Sequence, residues 1–295
     1  MISKIIFIFS ILLLFTSCSS EYDKRMKIST TGWVGYTPLY YIKAKGWLEP
    51  LNIRLLSVSS LAENMYIYQA GNSDAFTGTQ YEYGVLHQDS KNLVPIMMFD
   101  RSNGGDIVMS NFSLKELQET DIQIDAYLEL DSINNNVLKD FVKRYHLQKK
   151  NINYINRDQV LIKELKATAK PTIIVTYIPY DLSLENQGFR ELASTKGTLD
   201  LLVVDSMFTK VEFLNEHKKQ FIELKKLIDK SVRVLKTNPK GFYETIKPYI
   251  EEMDYEEFIS SLNDIIWINE NISQELNKRM TQANFPIRDL LHYEN

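Results

Sequence analysis

The chain has 295 residues, with 34 basic against 38 acidic side chains and a formal net charge of −4. Its basic residues lie scattered among acids, which excludes the concentrated positive face that nucleic-acid binding needs. A single cysteine excludes an internal disulfide, so 44% hydrophobic and 12% aromatic residues must build the core unaided.

The first charge is Lys4, followed by an apolar run over 5–15 and then Thr16-Ser17-Cys18-Ser19-Ser20. Positive, apolar and small in succession describe a secretory signal. The run is shorter than the roughly 20 residues that a membrane-spanning helix requires. Cys18, directly after small residues, resembles the lipobox of bacterial lipoproteins, although Phe15 stands where Leu is commoner. That resemblance implies a signal peptide over 1–17, acylation of Cys18, and a tether over 18–25 that holds the protein on the outer face of a membrane in the cell envelope. Losing 1–17 removes Lys4 and no acid, which leaves 33 bases against 38 acids, near −5.

Beyond the tether, 26–30 reads as a strand, and Thr37-Pro38 opens a helix that Gly46 closes. A strand over 51–58 follows. Ser60-Leu61-Ala62-Glu63 is a capping box for a helix that ends at Gly71. Residues 74–76 form a short strand, 79–87 a helix and 93–99 a buried strand. Strand and helix alternate throughout, the mark of an α/β lobe. The alternation then restarts, with strands at 107–109, 122–128, 152–155, 172–177 and 199–204. Helices lie between them at 113–117, 136–146 and 158–165, so a second α/β lobe is expected. From 208 the pattern turns helical over 209–235, 239–249, 255–268 and 272–283, a closing layer expected to pack on the first lobe.

The segment TGWVGYTPLYYIKAKG over 31–46 sets Trp33 before a Gly-Tyr-x-Pro-Leu turn into a helix that a glycine closes. It resembles the start of the substrate-binding proteins of nitrate, taurine, aliphatic-sulfonate and thiamine-precursor importers. YQAGNSDA over 68–75, DRSNGGDIV over 100–108 and SLKEL over 113–117 match the same family in order. The motifs cover 26–117; beyond 120 only the order of elements agrees. The resemblance implies an α/β periplasmic-binding-protein fold of two lobes joined by a two-strand hinge. Lobe 1 would comprise 26–105 plus 206–295, and lobe 2 would comprise 106–205. It further implies a monomer that closes on a small-molecule ligand and hands it to an ABC permease with its ATPase. No cofactor or metal is expected.

Ligands of open α/β sheets sit beyond the carboxyl ends of strands, which selects the candidate contacts. Trp33 and Tyr36 follow the first strand, and Gly35 would let the backbone approach a ligand; the alternative is that Trp33 only packs under the helix. Thr77 and Thr79 flank a turn at a strand end, where Thr79 serves a ligand or caps the next helix. Asp106 follows Gly104-Gly105 in the first crossover. Glu129 and Asp131 stand where the family often has a Gly-Ser/Thr turn that offers backbone N–H groups to an anion. Carboxylates there, beside Trp33, Tyr36 and Tyr40, fit a cationic or nitrogen-rich ligand through ion pairing and cation–π contact; their other reading is helix capping. Tyr177 and Tyr180 end the most buried strand of the second lobe, with Asp181 beside them. Asp205 precedes the return crossover as a hinge or ligand residue.

An enzyme needs a catalytic constellation, and His87, His146, His217 and His292 form no pair at ligand spacing. No His-Glu-x-x-His, Gly-x-Ser-x-Gly or phosphate-cradling loop occurs. One branch of the resembling family makes a thiamine pyrimidine with a cysteine cluster, which a chain with one cysteine does not repeat. The remaining rival is a lipoprotein that presents its solute to a membrane sensor. Neighbouring genes for a permease and an ATPase would favour import, and a neighbouring sensor kinase would favour the rival.

Overall fold

The computed structural model describes residues 25–250 and 253–286. The expected signal peptide, Cys18 and the tether as far as residue 24 lie outside them. Four strands of the first sheet come early: β1 (Met26–Thr30), β2 (Ile53–Ser57), β3 (Ala75–Thr79) and β4 (Leu93–Ser102). Between them run α1 (Thr37–Ala44), α2 (Leu61–Gln69) and α3 (Gln80–Asp89). β1 pairs in parallel with both β2 and β3, the geometry that strand–helix–strand crossovers impose. Local chemistry sets the boundaries. Gly46 (φ +69°) and Gly71 (φ +76°) turn the chain out of α1 and α2 in a conformation that side chains resist. Thr79 and Glu82 form a reciprocal capping box at the start of α3.

The chain leaves the first sheet at Ser102 and builds a second one. Its elements are β5 (Asp106–Ser110), α4 (Leu114–Glu119), β6 (Ile124–Leu128), α5 (Ile133–Arg144), β7 (Ile152–Asn156), α6 (Gln159–Ile162), β8 (Thr172–Tyr177), α7 (Tyr180–Asn186) and β9 (Arg190–Ser194). β10 (Val204–Lys210) then returns to the first sheet and lies antiparallel between β3 and β4. The tail adds α8 (Val211–Thr237), α9 (Pro239–Ile246), α10 (Tyr255–Ser261), β11 (Ile265–Trp267) and α11 (Gln274–Gln282). The sheet orders are β11-β4-β10-β3-β1-β2 and β7-β6-β8-β5-β9.

Four expectations need correction. The strand expected at 199–204 is absent: β9 holds the edge of the second sheet, and the next strand begins at Val204 in the first sheet. Leu199 and Val203 are apolar because the return crossover buries them against the second sheet's core. The helix expected from 209 begins at Val211, since β10 runs on to Lys210. The helix expected over 255–268 stops at Ser261, and Ile265–Trp267 pair with β4 as an edge strand. Thr37 also departs from a capping role, for its hydroxyl donates to the Val34 carbonyl at 2.6 Å.

The two crossovers run side by side and are stitched together. Ser102 N donates to Val203 O at 3.0 Å, and Gly104 N to the Thr195 hydroxyl at 2.9 Å. A Cβ at Gly105 would lie 2.5 Å from Trp33 Cη2, so the absent side chain is what lets the indole rest on the crossover. One apolar cluster thereby continues from the first sheet through Trp33 to Tyr177 and Ile178 of the second.

Candidate functional site

Where the two sheets face each other, a cavity of about 10 Å³ remains, room for about one water molecule. Thr31 and Trp33, just past β1, line it from the first sheet, with Leu61 and Thr79. Asp106, Tyr177 and Ile133 line it from the second, and Val203 and Asp205 from the return path. Every polar member sits in or beside an end of a strand, where backbone geometry points side chains into the gap between sheets.

Of the residues singled out in the sequence, Trp33, Thr79, Asp106, Tyr177 and Asp205 meet here. Tyr36 lies directly beneath, fully buried, with its hydroxyl donating to the Asp205 carboxylate and its ring edge-on to Phe99. Tyr180 stands one layer back, edge-on to Tyr177 at 5.3 Å between centroids. The others are placed elsewhere. The close approach that Gly35 permits is to Asp100, whose Oδ2 would lie 1.8 Å from an added Cβ. Tyr40 donates its hydroxyl to Thr31 O at 2.9 Å and stacks on Tyr249. Thr77 donates to the Thr30 hydroxyl at 2.9 Å inside the first sheet. Glu129 lines a separate outer cleft.

Two acids that sequence reasoning passed over complete the site. Asp100 ends the apolar run of β4, and its Oδ1 accepts from Trp33 Nε1 at 3.2 Å while Oδ2 has no partner. Glu82, wholly buried, joins the lobes. Its Oε2 accepts from the Thr79 N–H at 2.8 Å and the Thr79 hydroxyl at 2.6 Å, and Oε1 accepts from Ile133 N at 3.2 Å. One carboxylate thus serves the N-termini of α3 and α5, one helix from each side of the gap, where partial positive charge favours an anion. A protein carboxylate already fills the position an anionic ligand would take at α5. A polar residue at the end of an unbroken apolar strand, and an acid three residues after a capping threonine, are the signals that could have found them.

The electrostatics follow from burial without compensation. Desolvation pushes Asp100 up to about 8, opposed by the Trp33 hydrogen bond. It raises Asp106 to about 6. Asp205 lies well above the carboxylate range, through burial first and the charge of Asp100 second. Among the described residues, no Lys, Arg or His lines the cavity. Asp106 lines the cavity beside Trp33 and Tyr177 with an unpaired Oδ2, and Asp100, bonded to the Trp33 indole, keeps another; when ionised, such oxygens can accept N–H groups and balance a positive charge. Once ionised, the same acids disfavour an anion.

Besides Glu82, the bonds that join the sides include Tyr66, which donates to Asp131 Oδ2 at 2.7 Å, Arg279, which donates to Asp200 O at 3.0 Å, and Lys196, which pairs with Asp264 at 3.2 Å. Glu82→Gln keeps an acceptor but loses the charge that strengthens the bond to Ile133. A charged hydrogen bond of ~1.5 kcal/mol corresponds to about a tenfold rise in the dissociation rate of a bound solute. Stopped-flow measurement of that rate is the check. An unchanged rate would reduce Glu82 to a cap for α3.

No protein-family model and no curated protein matches the chain. Solved structures do. The ligand-binding component of an ABC-type import system from Staphylococcus aureus, solved with zinc bound, superposes with a TM-score of 0.69 at 13% identity over 88% of this chain and 91% of that one. The alkanesulfonate-binding protein SsuA from Xanthomonas axonopodis pv. citri, bound to MOPS, gives 0.69 at 12% identity over 90% and 96%. A Candida albicans protein described as having the generic periplasmic-binding-protein fold gives 0.62 at 11% over 90% and 93%. The chain has that fold, as its resemblance to sulfonate- and nitrate-type binding proteins implied.

Proposed function

We propose that the protein is a solute-binding lipoprotein of an ABC importer that captures a small, nitrogen-containing cation between two lobes and delivers it to a permease. Lobe 1 comprises the first sheet with the helical tail, 26–105 plus 206–295, and lobe 2 the second, 106–205. The observation that carries this reading is the pairing of Asp106 and Asp205 with Trp33 and Tyr177 around an interlobe gap that, among the described residues, no Lys, Arg or His lines. A gap of one water's size must open for any larger guest, so capture requires the lobes to part about the crossovers at 103–105 and 195–203. Cys18 carries the lipid anchor, and the protein works as a monomer on the outer side of the membrane, where a permease with its ATPase receives the solute.

Calorimetric titration of the mature protein with choline, ethanolamine and aromatic amines, against nitrate, sulfate and alkanesulfonates, tests the reading. Heat from a member of the cationic set and none from the anions is expected. Binding confined to the anions would overturn it.

A further inference from the structure

Besides the inner cavity, an outer cleft of about 490 Å³ opens between the sheets, a volume typical of small-molecule sites. One wall is the start and flank of α2, with Glu63, Tyr66 and Ile67. The other is made by the segments that follow β6 and β7, with Glu129, Asp131 and Asp158. Among the described residues, four carboxylates line it, and no Lys, Arg or His does.

Helix capping accounts for only part of this charge. Glu63 accepts from Ser59 N at 2.8 Å and the Ser59 hydroxyl at 2.7 Å, and Asp131 accepts from Tyr66. Asp158, by contrast, stands at the cap of α6 and makes no side-chain capping bond. Glu129 is 2% exposed; Oε1 accepts from Gln159 N at 3.3 Å, and Oε2 has no partner. A buried carboxylate with an idle oxygen is expensive to keep unless something comes to meet it. Among the described residues no three His, Cys, Asp or Glu converge on a point that could hold a metal ion. The charges are spread along a trough whose α2 wall also carries the apolar Ala62, Ile67 and Ala70.

We propose that this outer cleft is a second binding site, for an extended organic polycation of the diamine or polyamine class. Spaced ammonium groups match spaced carboxylates, and the methylene chain between them lies along the apolar residues of the α2 wall. Because Glu63 belongs to one wall and Glu129, Asp131 and Asp158 to the other, the bound polycation neutralises like charges that closure brings together, and so favours the closed form. The site stands independently of what the inner cavity binds. Burial holds Glu129 at about 8, so a cation that meets it displaces a proton near neutral pH.

Spermidine titrated calorimetrically into the mature protein at low ionic strength tests this, with magnesium chloride and taurine as parallel titrants. One equivalent of spermidine is expected to bind with proton release, read from buffers of different ionisation enthalpy. Asp158→Asn combined with Asp131→Asn, both exposed positions, is expected to weaken it at least tenfold, and Glu129→Gln to abolish the proton release. Spermidine that does not bind, or that magnesium displaces at equal concentration, overturns the proposal. Spermidine binding that survives all three substitutions at full affinity places it elsewhere and overturns it equally.

Discussion

Unfolded by urea across a pH series, the ligand-free protein is expected to be more stable at pH 5 than at pH 8. Asp100 and Glu129 have native values of about 8, against 3.8 and 4.5 for the free groups, and Asp106 has about 6 against 3.8. Between the unfolded and native values the native state holds protons that the unfolded chain has released. A raised native value therefore gives stability that is fully present below the unfolded value and is lost as pH rises through the native one. At about 1.4 kcal/mol per unit for each proton, Asp100 alone accounts for on the order of 4 kcal/mol between pH 5 and 8. A cationic solute reverses the trend, because it favours the charged form of the same carboxylates, so its affinity should climb over this interval. Asp100→Asn should flatten the stability curve by about one proton. A ligand-free curve that is level or rising from pH 5 to 8 would mean that these acids are ionised and paired in solution, which would remove the electrostatic basis for cation capture.

Much of the fold was legible because hydrophobic period and punctuation agree. β8 spans Thr172–Tyr177, as the sequence predicts, since the run is apolar on both faces and Pro171 and Pro179 bound it. β9 and β11 were not legible. Both lie at sheet edges, where one side meets solvent or a single neighbour and few apolar residues are needed. Ile265-Ile266-Trp267 after a helix reads equally as its last turn until a partner strand is known.

The site divides in the same way. Trp33, Asp106, Tyr177 and Asp205 could be picked out because strand ends and crossovers are recognisable and carry ligands by geometry, although Asp205 opens a strand of the first sheet instead of ending one in the second. Tyr40 misses the cavity because Tyr36 belongs to a 3-10 turn, Val34–Tyr36, and α1 starts only at Thr37, so four-residue helical spacing does not put the two rings on one face. Thr77 is two residues below Thr79 on the same face of β3, roughly 6.6 Å deeper in the sheet. Asp100 and Glu82 were hidden because what they do depends on partners distant in sequence: an indole from β1's exit for one, and the first N–H of α5, across the gap, for the other.

Trp33 is where these dependencies meet, and its replacement should have the largest effect on binding. The indole is 6% exposed, meets Tyr177 edge-on at 6.1 Å between centroids, lies over Gly105, and gives Asp100 its hydrogen bond. Trp33→Ala removes a wall of the cavity and a buried aromatic at once, a change that costs about 3–5 kcal/mol of stability in protein cores. Loss of binding in that variant alone could therefore reflect unfolding. Trp33→Phe separates the effects. It keeps a ring between the lobes but leaves Asp100 with both oxygens unpaired, a penalty of ~1–3 kcal/mol. Affinity for a cationic solute should fall about tenfold or more, and the pH at which stability declines should move upward, since the bond that lowers Asp100 is gone. Far-ultraviolet circular dichroism would verify that each variant is folded, and calorimetry would give the affinity. If Trp33→Phe and a folded Trp33→Ala both bind as tightly as the parent, the solute does not sit between Trp33 and Tyr177, and the two acids beside them serve the closed state instead of a guest.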